Sequence, residues 1–195
     1  MQRKQRHTAE RRHTSAGSDS RIAELYLAAA RETLERYLPR FTSCLGELSQ
    51  QQIWWRPNPA SNSAGNLALH LCGNIRQWII SGLGGAPDIR HRDAEFSERG
   101  PMPRRVLVRK LETTVREAVR ILRRLRPEAL TRRYVIQGFQ VTGLHAVSNV
   151  AEHFAYHTGQ IIYITKHKRA RDLRFTKLSV STLRQTKLQH PQNRY

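Results

Sequence analysis

Four stretches of this sequence repeat apolar residues with the period of an α-helix, and none alternates convincingly as a strand. The first runs from about Asp19 to Leu48, with Ile22, Leu25, Ala29, Leu34, Leu38, Phe41, Leu45 and Leu48 on its stripe. Pro39 falls inside it and removes a backbone donor, which predicts a kink or a break. The second starts near Ser61–Ser63, where the side chains can cap, and runs to about Gly82. Its inner stripe is Leu67, His70, Leu71, Asn74, Ile75 and Trp78, and Gly82-Leu-Gly-Gly85 stops it. A polar loop from Ala86 to Gly100 follows. Pro101 and Pro103 suit the first turn of the third helix, whose stripe is Val106, Leu107, Leu111, Val115, Ala118, Val119, Leu122 and Leu125. The fourth spans about Val141 to Lys166, with Val150, His153, Phe154, His157, Ile161 and Ile164 inward. Four amphipathic helices of comparable length predict an all-α chain folded as a four-helix bundle.

The chain has 195 residues, enough for one domain with a sizeable core. Its formal charge is +19, and the ends hold more than half of it. Residues 1–20 carry five Lys or Arg against two acids, and 166–195 carry nine against one. With few large apolar side chains, such segments read as solvated. The expected organisation is a disordered basic tail over 1–18, a bundle over 19–175 and a basic C-terminal tail over 176–195. The N-terminus has no apolar run of the signal-peptide kind, and no segment approaches the roughly 18 apolar residues of a membrane span. Two cysteines without close spacing, Cys44 and Cys72, suit a reducing compartment. A cytoplasmic protein with no membrane partner is expected.

His153 and His157 lie four apart on the fourth stripe. On a helix that spacing brings their Cβ atoms within about 5–6 Å, so two imidazoles can close on one ion at about 2.0–2.1 Å per bond. His70, on the second stripe, is the leading third ligand. Three histidines would leave coordination positions open, the pattern of a catalytic rather than a structural site. The alternative is a set of helix histidines satisfied by their neighbours. Phe154 stands where the Glu of a metalloprotease His-Glu-x-x-His helix would be, which disfavours proteolysis. Glu152 points about 100° away from His153 and reads as a surface residue or an outer contact of the site rather than a base.

Several segments in order carry a resemblance: Trp54-Trp55-Arg56-Pro57, Asn66-Leu-Ala-Leu-His70, Gly73-Asn74-Ile-Arg-Gln-Trp78, Arg92-Asp93-Ala-Glu-Phe96 and Glu152-His-Phe-Ala-Tyr-His-Thr-Gly-Gln160. From about Ile22 to Phe175 the chain resembles the DinB/YfiT-like metalloenzymes, within an uncharacterised DinB-like subfamily. The resemblance implies a divalent metal, zinc or nickel, on His70, His153 and His157. It also implies transfer or isomerisation chemistry with a small-molecule thiol and an electrophilic substrate, and frequent homodimers. Asn74, Trp78 and Gln160 are the expected pocket residues. Two departures stand out: Asn149 where close relatives would carry another histidine, and His91 where an acid is more usual.

Two functions follow. One is a metal-dependent enzyme of the thiol S-transferase kind. The other is a non-catalytic metal-binding or nucleic-acid-associated protein, its basic tails attracting phosphate without sequence readout.

Overall fold

The computed structural model describes residues 2–175, with side chains from Ser18 onward. The chain is a four-helix bundle built from α1 (Gln2–Glu47), α3 (Ala64–Ile75) with its π-helical continuation Arg76–Ser81, α5 (Arg104–Arg124) and α7 (Gly143–Arg169). Short helices α2 (Gln50–Ile53), α4 (Arg92–Ser97) and α6 (Glu128–Thr131), and a hairpin of β1 (Arg133–Ile136) and β2 (Phe139–Thr142), fill the connections. The tail expected over 1–18 falls on α1, where side chains before Ser18 lie outside the described residues. The tail at 176–195 lies outside them altogether.

The core lies where α1, α3, α5 and α7 meet, with Phe41, Leu71, Ile75, Leu111 and Phe154 fully buried. α3 is the innermost element. Every residue from Ala64 to Cys72 is buried, as a helix apolar on all sides requires. It touches α5, α7, α4 and α2. Ser63 caps it: its hydroxyl accepts from Asn66 N at 3.1 Å, and its own N–H donates to Asn66 Oδ1 at 3.2 Å. The Asn66 side chain then donates to the carbonyls of Glu95 at 2.8 Å and Glu98 at 3.0 Å. The α3 cap therefore clamps α4 in place.

Several boundaries differ from the sequence reading. On α1, Leu27, Ala30 and Leu34 are buried, whereas Ile22, Leu25 and Ala29 face outward. Two phases of apolar residues overlap there, and the one facing α5 and α7 is buried. The helix runs through Pro39 without a break. Pro39 is exposed, so the carbonyl left without a donor sits on the water side. Val106 is also exposed, and α5 starts only after Pro103. The second helix keeps α-type turns only to Ile75; its wider π turns stop at Gly82–Gly85, where Gly84 N donates to Ile79 O at 2.8 Å.

The hairpin corrects the expectation of no strand. Its two-residue turn, Gln137-Gly138, has φ of 54° and 80°. Positive φ at both centres gives the tight turn that matches strand twist. The register pairs Tyr134 with Val141 and Ile136 with Phe139. Val141 therefore belongs to β2, and α7 begins at Gly143 behind Thr142, whose hydroxyl caps His145 N.

Candidate metal centre

His70 comes from the middle of α3, and His153 and His157 from successive turns of α7. His70 and His157 are buried, and His153 is partly so. Their Nε2 atoms converge: His153 Nε2 lies 2.7 Å from that of His70 and 3.1 Å from that of His157. The three offer one ligand atom each within 4.8 Å of one another, close enough to hold a metal ion.

The outer nitrogens decide the tautomers. His70 Nδ1 lies 2.9 Å from Glu95 Oε2. Burial pushes the Glu95 carboxyl up, but hydrogen bonds from Arg90 and His70 outweigh it and hold it below its ordinary range. An ionised carboxylate only accepts, and it lies closer to His70 Nδ1 than the Arg90 terminal nitrogen at 3.2 Å, which already donates to Glu95. A neutral His70 therefore carries its proton on Nδ1 and keeps a lone pair on Nε2. His157 Nδ1 lies 2.6 Å from Gln160 Oε1, which likewise accepts. Two lone pairs thus face the His153 ring, which can donate a single proton to one of them. A cation at the meeting point would satisfy all three. Such carboxylate and amide partners are what orient histidine ligands at metal sites. Burial, then the nearby His157, His70 and arginine charges, lower the His153 pKa to about 4, leaving it neutral and able to ligate near neutral pH.

Arg90 fixes Glu95 in turn. Its Nε and one terminal nitrogen donate to the two carboxylate oxygens at 2.8 Å each. The other terminal nitrogen donates to Gln77 Oε1 at 2.8 Å, and the Gln77 amide donates to Asp88 Oδ2 at 2.8 Å. Phe96 lies against the His70 ring, centroids 4.6 Å apart. Gly73 makes room: a Cβ there would overlap the Glu95 carboxylate and lie 2.9 Å from Arg90 Nε.

Glu95, Arg90, Gln77 and Asp88 escaped the sequence reading as site residues. Asp88 and Glu95 lie in the polar loop from Ala86 to Gly100, whose sequence carries no helical period. The available signal was Gly73, a glycine within a helix facing that loop.

The expected pocket residues separate. Gln160 serves His157 and also lines an open cavity of about 690 Å³ with Trp55, Pro57, Tyr156 and Tyr163. Asn74 and Trp78 are buried farther along, and Asn74 Oδ1 and Trp78 Nε1 have no hydrogen-bond partner among the described residues. The Trp78 ring lies 6.3 Å from that of His145. Glu152 is exposed. Burial pushes the thiol of Cys72 up to about 12 and that of Cys44 to about 11.

The family model described as "Protein of unknown function (DUF1572)" matches residues 21–183. Three solved structures share the fold. A conserved protein from Enterococcus faecalis aligns with a TM-score of 0.59 at 18% identity, covering 71% of this chain and 94% of that one. A DinB-like protein from Bacillus subtilis aligns with a TM-score of 0.57 at 19% identity, covering 74% and 95%. A DinB-like protein from Bacillus cereus gives 0.54 at 15% identity, covering 70% and 89%. No curated protein matches the chain.

Proposed function

The chain belongs to the family of unknown function DUF1572, and we propose that it holds a divalent metal ion on the Nε2 atoms of His70, His153 and His157 and uses it on a small-molecule thiol. The observation that carries the metal is the convergence of those atoms while Glu95 and Gln160 take up the outer nitrogens of two of them. A bound ion would supply Lewis acidity that brings the pKa of a thiol or water reaching it toward neutral. Zinc or nickel suits three imidazoles.

The thiol comes from outside the chain, since both of its own are buried and held protonated. Glu95 and Gln160 keep the His70 and His157 protons on Nδ1. Phe96 shields the His70 ring from water. Two free buried cysteines fit a cytoplasmic location. Among the described residues no helix is long and apolar enough to cross a membrane. A homodimer stays part of the proposal through the family resemblance. The alternative of nucleic-acid association rests on tails that fall largely outside the described side chains.

The test is metal analysis of protein made without a His-tag, followed by titration with zinc and nickel. A chain that carries no divalent ion and takes up neither would overturn the metal reading. Turnover is then measured with a panel of cellular thiols and an electrophile. A metal-loaded chain that transfers no thiol would leave the site standing and remove the reaction.

A further inference from the structure

A second cavity, of about 900 Å³, opens on the far side of Glu95, between the π segment, the loop before α4 and α5. Cationic side chains dominate it: Arg76, Arg90, Arg105, Arg109 and Lys110, with His91 beside them. Three carboxylates also line it, but two are engaged. Glu95 is held by Arg90 and His70. Glu98 Oε1 accepts from the backbone N–H of Arg99 at 2.9 Å and Gly100 at 2.8 Å. Only Glu117 remains at the α5 end.

Apart from Arg90, which Glu95 holds, the cations are unmatched. Among the described residues no ion pair reaches Arg76, Arg105, Arg109 or Lys110. Arg76 Nε is buried without a hydrogen-bond partner among the described residues, a condition that native interiors rarely leave standing. Arg76 is also the first residue of the π segment, a distortion common at functional positions. Arg105, Arg109 and Thr113 recur at four-residue spacing on α5, so they share one face. The metal reading uses none of these groups.

We propose that this cavity binds a small molecule through a phosphate group. A phosphate offers three acceptor oxygens and close to two negative charges near neutral pH, and its geometry matches the guanidinium fork. The cavity falls within the roughly 300–1,000 Å³ of small-molecule sites. Arg76 supplies the buried donor, and Arg105, Arg109 and Lys110 the surrounding charge. The phosphate can be free or part of a larger metabolite.

Calorimetric titration of the full-length chain with inorganic phosphate and with a nucleoside monophosphate, at ionic strength held constant with NaCl, tests this. At least one probe binds saturably at one site per chain. Arg76→Gln and Arg109→Gln each weaken it by at least about tenfold, while His153→Ala leaves it unchanged. Tighter binding of the monophosphate identifies a metabolite, and equal binding identifies free phosphate. Loss of binding in His153→Ala would put the phosphate on the histidine centre and overturn the proposal. So would wild-type affinity in both arginine variants, no saturable binding of either probe, or a short DNA duplex binding with the same sensitivity to both substitutions while neither small probe binds.

Discussion

The His70 end and the Trp78 end of one buried helical rod make opposite use of their polar groups. Around His70, the carboxylate of Glu95, the guanidinium of Arg90 and the amide of Gln77 form a closed chain of hydrogen bonds ending on Asp88. One and two turns farther, Asn74 Oδ1 and Trp78 Nε1 are equally buried and have no partner among the described residues. Both ends lie on the same stripe of the sequence. Burial of a polar residue therefore does not mark a working group. A partner that fixes its protonation and orientation does.

Substituting the converging ring itself should have the largest effect. His153→Ala removes one of three ligand atoms and should abolish most metal binding, as read by metal stoichiometry. Loss well beyond the about 10–100-fold of an outer partner is expected. Glu95→Ala comes next. It leaves Arg90 buried against His70 without its counter-ion, which should cost about 3–5 kcal/mol in chemical denaturation, and should weaken metal binding by about 10–100-fold. Normal stability and normal metal content in that variant would break the comparison, because the closed network would then count for no more than the open end.

Acid sharpens it further. Burial first, then the nearby charges, lower the folded pKa of His153 to about 4 from the ordinary 6.5. Between those values the unfolded chain binds more protons, so stability rises with pH. Metal-free protein should hold this contribution above pH 6.5 and lose it as pH falls toward about 4. Glu95, whose pKa is also lowered, adds a further loss in the carboxylate range. Urea midpoints against pH should show a shallower slope over the histidine window in His153→Gln. The smallest effects belong to the open end: Asn74→Leu removes an unpaired acceptor and should change stability by no more than about 1 kcal/mol in either direction, with metal content unchanged. A loss of several kcal/mol there would mean that Asn74 is engaged after all.

The bundle was legible because α3, α5 and α7 each carry apolar residues at helical spacing. His153 and His157 were legible because one turn of one helix places them together. Glu95 was not, since it sits on a six-residue helix in a charged loop, 25 residues from the His70 it supports. No local period reports which of several acids turns inward. The hairpin hid for another reason. Gln137-Gly138 is a weaker turn signal than Asn-Gly, and the strands beside it are four residues each. On α1 the period was right, but two overlapping phases were present, and only the neighbours α5 and α7 choose between them.

The absence of a side chain at Gly73 separates two properties that substitutions at the ligands would change together. A methyl group added there would meet the Glu95 carboxylate and push it off His70, while all three imidazoles stayed chemically intact. The centre would keep its three ring nitrogens and lose the hydrogen bond that orients one of the imidazoles. A single alanine, touching no histidine, thus acts as a dial on ligand orientation, and spectra of a cobalt- or nickel-substituted Gly73→Ala protein would read how far the dial turns.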